Sequence, residues 1–132
     1  MDTKQIEEGE QLTPQFQKRG GIIPVIVQDT KTKDILMLGY ANQEAFEETL
    51  KTKMASFWST SRNELWVKGK TSGDYLKVVE IAIDCDQDAL IYHVEMMGNG
   101  VCHTKSKKGK ARKSCFYRKV DYTTLRLIKN EQ

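Results

Sequence analysis

At 132 residues, with 39% hydrophobic and 30% charged residues, the chain has the make-up of one soluble globular domain whose core would gain from a partner chain or a metal. No apolar run approaches the ~20 residues of a membrane helix, and the acidic, polar start MDTKQIEEGEQL is not a secretory leader, so a cytoplasmic protein with reduced thiols is expected. The net charge of +3 is modest, but KSKKGKARK at 105–113 carries six Lys or Arg and no acid, which reads as a solvated loop or as a phosphate or nucleic-acid contact.

Residues 1–20 form a polar lead-in with a helical turn around 4–12, punctuated by Gly20 and Gly21. IIPVIVQ at 22–28 is rich in β-branched residues and predicts a strand, with Pro24 at an edge or an early strand position. The polar turn 29–34 and ILMLGY at 35–40 complete a hairpin. Asn42 is placed to cap a helix over 43–53, with Ala45, Phe46 and Leu50 as its buried stripe. Short strands are expected at 56–60 and 64–69, then a turn at 70–74. KVVEIAID at 77–84 alternates Val79, Ile81 and Ile83 on one face. ALIYHVEMM at 89–97 does the same with Leu90, Tyr92, Val94 and Met96. The two read as antiparallel strands hinged at DCDQD. A last strand is expected at 114–120 and a helical tail over 121–132. The division is therefore a lead-in at 1–20, a single domain at 21–120 and a tail at 121–132, in the α+β class with one principal helix.

The chemistry concentrates at 84–116, which holds all three cysteines, Cys85, Cys102 and Cys115, and one of the two histidines, His103. Zinc takes thiolate or imidazole in a tetrahedron, and three protein ligands leave a fourth position for water. No Cys-x-x-Cys knuckle is present, and spacings of 17 and 13 residues suit a catalytic site better than a structural one. Buried apolar cysteines with no ligand role remain an equal reading of the spacing. Asp84, Asp86 and Asp88 would share one face of an extended segment and repel unless a hard cation such as Mg²⁺ sits among them; a polar turn at a strand end is the alternative. In LWVKGKTSGD at 65–74, Gly69 and Gly73 allow close backbone approach, Thr71 and Ser72 offer hydroxyls, and Lys68 and Lys70 offer charge. That suits a phosphate without the spacing of a P-loop. Trp66 could stack on a base or pack in the core, and Trp58 and Arg62 are open in the same way. His103 could be a general base or a structural residue, and His93, on the other face of its strand, has no assigned role.

Taken together, LWVKGKTSG at 65–73, IDCDQDAL at 83–90, GNGVCHT at 98–104 and SCF at 114–116 resemble the phosphoribosyl-AMP cyclohydrolase family, with GYANQEAF at 39–46 and SFWSTSR at 56–62 in support. The resemblance covers roughly residues 20–120. It implies a mainly antiparallel or mixed β-sheet folded into a pseudobarrel. It also implies hydrolytic opening of the adenine ring of phosphoribosyl-AMP at the N1–C6 bond, the third step of histidine biosynthesis. One Zn²⁺ per subunit would be held by Cys85, Cys102 and Cys115, shared across a homodimer with the first cysteine from one subunit and the other two from its partner. Asp84, Asp86 and Asp88 would bind Mg²⁺, and His103 would transfer protons. Arg62, Trp66, Lys68, Gly69, Thr71, Ser72 and Gly73 would line the nucleotide site, with no role for nucleic acid or membrane.

Two departures stand out. CHTKSKKGKARKSCF is six residues longer than the family's usual segment, and Lys70 stands where the family usually has Glu. With the chain ending at 132, the monofunctional form is expected. Two other readings are a zinc-stabilised basic module that contacts nucleic acid through 105–113, and an inactive relative.

Overall fold

The computed structural model describes residues 1–129. Its centre is a four-stranded mixed sheet in the order β2-β1-β6-β5, built from β1 (Ile23–Asp29), β2 (Ile35–Ala41), β5 (Leu76–Ile83) and β6 (Leu90–Met96). β1 runs antiparallel to β2 and parallel to β6, and β5 and β6 pair antiparallel from Ile83↔Leu90 to Leu76↔Met96. Pro24 sits in an interior strand, but at its second position, before the β6 ladder begins at Val25. There its missing N–H costs no bond to β6.

Every second residue of β1 and β6 faces the core: Ile23, Val25 and Val27, and Leu90, Tyr92 and Val94, are fully or almost fully buried. Each such side chain contributes about 1.5–3 kcal/mol of burial. The alternation expected for β5 does not hold. Leu76 and Val78 are buried, Val79 is 44% exposed, and Ile81 and Ile83 are only half-buried. The register shifts between Val78 and Glu80, so Val79 is the extra residue of a bulge and is turned outward.

Helix α2 (Gln43–Thr52) begins where Asn42 accepts a hydrogen bond from the Ala45 N–H at 2.8 Å, and it ends at Lys53 in the left-handed conformation. Ala45 and Phe46 are buried as expected. The third buried position is Thr49, with Leu50 half-buried. The Thr49 hydroxyl donates toward the carbonyls of Ala45 and Ser56 and accepts from the Ser56 N–H at 3.0 Å, which ties the helix to β3 (Ser56–Ser59).

β3 pairs antiparallel with β4 (Glu64–Val67). The edge strand β5 bonds residues 53–55, through Val78 N–H to Lys53 O and Ala55 N–H to Leu76 O. On the far side β3 packs on β2, where Gly39 leaves room for the Phe57 ring; a Cβ there would come within 2.6 Å of it. This near-continuous wrap has the form of a pseudobarrel around one core, in the α+β class.

Two expectations at the C-terminus are corrected. Residues 114–117 are irregular, held to β2 by Cys115 N–H to Leu36 O at 2.8 Å and Ser114 Oγ to Ile35 O at 2.7 Å. The tail is a hairpin of β7 (Arg118–Asp121) and β8 (Arg126–Lys129), not a helix; residues 130–132 lie outside the described residues. At the other terminus, the lead-in forms α1 (Thr3–Glu8), capped by Asp2 and Gln5, and a 3₁₀ turn at Phe16–Arg19.

Candidate active site

The antiparallel pair β5–β6 separates the chemistry into two poles. The loop 84–88 joins the strands at one end, and residues 97–116 leave β6 at the other. The seven residues of β6 span roughly 20 Å at ~3.3 Å each. Cys85 is therefore at one pole while Cys102 and Cys115 are at the other.

At the second pole, Cys102 is buried, and its Sγ lies 2.9 Å from the Thr104 hydroxyl and accepts from the Thr104 N–H at 3.4 Å. Burial pushes the Cys102 thiol up, but the two Thr104 bonds, the Cys115 thiol and the nearby Arg112 charge outweigh it and leave it below the ordinary thiol value. Cys115 sits on an otherwise exposed residue with its thiol turned to Cys102. It is pushed up to about 11, first by desolvation and then by the Cys102 charge and hydrogen bond. The two thiols thus influence each other's ionisation, and together they offer two sulfur donors that a soft metal ion would take as thiolates.

Cys102 lines a cleft of about 1300 Å³, together with His103, Lys68, Ser72, Asn99 and Lys108 among others, and Cys115 lies against it through its contact with Cys102. His103 is exposed on its rim and makes no hydrogen bond or ion pair among the described residues. Lys68 donates to the Val101 carbonyl and lies 5.9 Å over the Trp66 ring. Ser72 accepts from the Asp74 N–H at 3.2 Å.

The glycine motif is a tight turn after β4. Gly69 has φ +93, and a Cβ there would meet the Tyr75 nitrogen at 2.3 Å; Gly73 has φ +84. Of the seven residues expected at the nucleotide site, Lys68 and Ser72 line this cleft, and Arg62, Trp66, Gly69, Thr71 and Gly73 do not. Arg62 is exposed in the β3–β4 turn, 3.5 Å from Glu64. Trp66 packs on Phe57 at 5.4 Å between ring centroids, at the margin of the core. Lys70 is exposed and away from the cleft. Sequence reasoning assigned no role to Asn99, although GNG at 98–100 marked the place. Its N–H donates to the Asp74 carboxylate at 3.1 Å, and Gly98 is packed so close to Asp74 that no Cβ would fit.

At the first pole, one ligand atom from each of Asp84, Asp86 and Asp88 lies within 4.8 Å of the others, the only such group of three metal-capable side chains among the described residues. The donors suit a hard cation, but the lead-in supplies counter-ions. Lys18 Nζ lies 3.0 Å from Asp86 and 3.2 Å from Asp88, and Arg19 donates twice to Asp88, at 2.9 and 3.1 Å. The Arg19 guanidinium, ahead of all other causes, holds the buried Asp88 carboxyl well below the usual carboxylate range. Asp84 is raised by desolvation, although it accepts from the N–H groups of Asp88 and Ala89. A divalent cation on this triad would displace the Lys18 ammonium.

Gln87, between the last two aspartates, is buried and fastens the lead-in. It accepts from the Thr13 N–H at 2.8 Å and donates to the Ile6 and Gln11 carbonyls at 3.0 and 3.2 Å. Sequence reasoning missed Lys18, Arg19 and Gln87 in these roles.

Fold and site define a small α+β protein with a thiol pair and a free imidazole in a cleft edged by cations and hydroxyls, the chemistry of an enzyme for an anionic small molecule. Comparison makes this specific. The family model for phosphoribosyl-AMP cyclohydrolase matches residues 37–117. The chain is 55% identical over 107 residues to the phosphoribosyl-AMP cyclohydrolase of Archaeoglobus fulgidus, covering 81% of this chain and 92% of that one. It is 48% identical over 109 residues to that of Streptococcus mutans (83% and 94% covered) and 45% identical over 113 residues to that of Desulfatibacillum aliphaticivorans (86% of each). The chain belongs to the phosphoribosyl-AMP cyclohydrolase family.

Proposed function

We propose that this chain is a hydrolase that opens the adenine ring of 1-(5-phosphoribosyl)-AMP, the third step of histidine biosynthesis. The observation that carries the reading is the convergence of Cys102, His103, Lys68 and Ser72 on one cleft, with Cys115 against Cys102, in a chain of this family. Water adds to C6 of the purine, the N1–C6 bond breaks, and N1 takes up a proton.

Cys102, Cys115 and the Cys85 of a second copy would hold zinc, which when bound polarises a water molecule so that it is a nucleophile near neutral pH. His103, with no hydrogen-bond or ion-pair partner among the described residues, would take the proton of the attacking water and return it to N1. Lys68, fixed by Val101, and Ser72 bind the anionic part of the substrate.

The two poles support sharing between copies, since the length of β6 separates Cys85 from Cys102 within one chain. A partner that delivers Cys85 also delivers the flanking Asp84 and Asp86, so a magnesium on the triad would join the same composite site. An apolar surface supports a dimer. Ile35, Leu38 and Tyr40 on β2 are 40–45% exposed, and Tyr122 and Leu125 in the tail hairpin are more than 80% exposed. No described helix is long and apolar enough to cross a membrane, and three free cysteines suit a reducing cytoplasm.

A turnover assay with phosphoribosyl-AMP tests the reading. Ring opening is expected, lost on chelation and restored by zinc. Zinc-loaded protein that leaves the substrate intact overturns it.

A further inference from the structure

The lysine-rich segment between the last two cysteines is an ordered hairpin. Its ladder runs from Val101 N–H to Lys113 O at 3.1 Å, through Cys102 N–H to Arg112 O at 3.0 Å and Arg112 N–H to Thr104 O at 3.1 Å, to Ser106 N–H to Lys110 O at 2.8 Å. A bridge pairs Lys105 with Ala111, and Gly109, with φ +76, turns the tip. The arm therefore grows directly out of the segment that carries Cys102, so its position relative to the thiol pair is set by backbone hydrogen bonds.

Its cations divide into two groups. At the root, Lys113 is neutralised, 2.8 Å from Asp34, 3.2 Å from Asp29 and 2.9 Å from the Thr32 hydroxyl, which pins the arm to the β1–β2 turn. Arg112 lies 4.1 Å over the Tyr117 ring. Toward the tip, Lys105, Lys107, Lys108 and Lys110 are exposed and have no carboxylate partner among the described residues. Three of these four, Lys105, Lys108 and Lys110, line the cleft that holds Cys102 and His103; Lys107 does not. An uncompensated cationic wall on a cleft this size favours a dianionic group over a neutral one.

We propose that the hairpin is a phosphate arm: Lys105, Lys108 and Lys110 bind a phosphomonoester of the substrate and so set affinity in the cleft. This rests on the ring-opening reading, whose substrate carries two such groups.

Neighbouring Lys107 and Lys108 supply the test, because they carry the same charge on opposite sides of the cleft boundary. In the zinc-loaded full chain, Lys108→Gln is expected to raise KM about fivefold with kcat within twofold, the scale of one lost lysine–phosphate pair. It should also raise the inhibition constant of inorganic phosphate and flatten the salt dependence of KM. Lys107→Gln should leave all three unchanged, and the melting temperatures of both variants should match the parent. Equal effects of the two substitutions, or none, overturn the proposal. So does retention of single-stranded oligonucleotide in a manner that needs both lysines while KM stays fixed, which would make the arm a nucleic-acid contact. If the parent chain does not open the ring, calorimetric titration with inorganic phosphate still reads the arm: weakening by Lys108→Gln alone supports it, and identical affinities overturn it.

Discussion

The two poles of the sheet carry charge of opposite sign and treat it in opposite ways. At the acidic pole the chain satisfies itself. Asp86 and Asp88 are matched by Lys18 and Arg19, Asp84 accepts two backbone N–H groups, and Gln87 ties the lead-in down beside them. At the basic pole the root of the hairpin is neutralised through Lys113, but the lysines toward its tip have no carboxylate partner among the described residues, beside a cleft lined by Cys102. Compensated charge stabilises the fold, whereas uncompensated charge beside a reactive group is held for a ligand. The acidic pole has a further role only if a cation or a second copy replaces what the lead-in supplies.

The comparison breaks most visibly at the thiol pair. Cys102→Ala should abolish bound zinc and reduce ring opening by more than the ~10–100-fold typical of groups that merely support a metal ligand; metal content and turnover measured on one preparation check this. Gln87→Ala at the opposite pole should cost about 2 kcal/mol in urea unfolding, since it leaves the Thr13 N–H and two carbonyls of the lead-in without partners. It should also expose residues 1–15 to limited proteolysis while the zinc content is kept.

A smaller effect is expected from Arg19. The folded-state pKa of Asp88 lies below its unfolded value of ~3.9. Its contribution is therefore complete above about pH 4 and is lost as the pH falls below that toward the folded value. Arg19→Ala should destabilise the chain by about 1 kcal/mol at neutral pH, a value kept small by the exposure of the arginine. It should also make acid unfolding begin at higher pH. The smallest effect belongs to Lys18→Ala, which removes the competing ammonium of an exposed lysine and should tighten Mg²⁺ binding by roughly two- to threefold in calorimetry. Weaker Mg²⁺ binding in that variant would mean that the lysine organises the triad instead of competing for it.

What the residues revealed in advance follows the range of the interactions. Strands β1, β2 and β6 and the capped helix α2 were legible because their signals are local: β-branched runs, period-two alternation, and Asn42 placed before an apolar stripe. Val79 misled because one bulge residue reverses the alternation without leaving a mark in composition. The tail misled because Leu125, Leu127 and Ile128 suit a short hairpin as well as a helix. The cysteines and aspartates could be named from type and spacing, but nothing local says that Cys85 and Cys102 lie at opposite ends of β6. Lys18, Arg19 and Gln87 were illegible for the same reason: their contacts join residues separated by 68 or more positions.

The central claim is that the acidic pole of one copy completes the thiol pole of another. Mixing Cys85→Ala and Cys102→Ala subunits, each inactive alone, tests it directly after exchange at low concentration and reassembly. A heterodimer then contains one intact site out of two, so random pairing should restore about one quarter of the parent activity and the matching share of zinc. A mixture that exchanges subunits yet stays inactive and zinc-free would contradict the account.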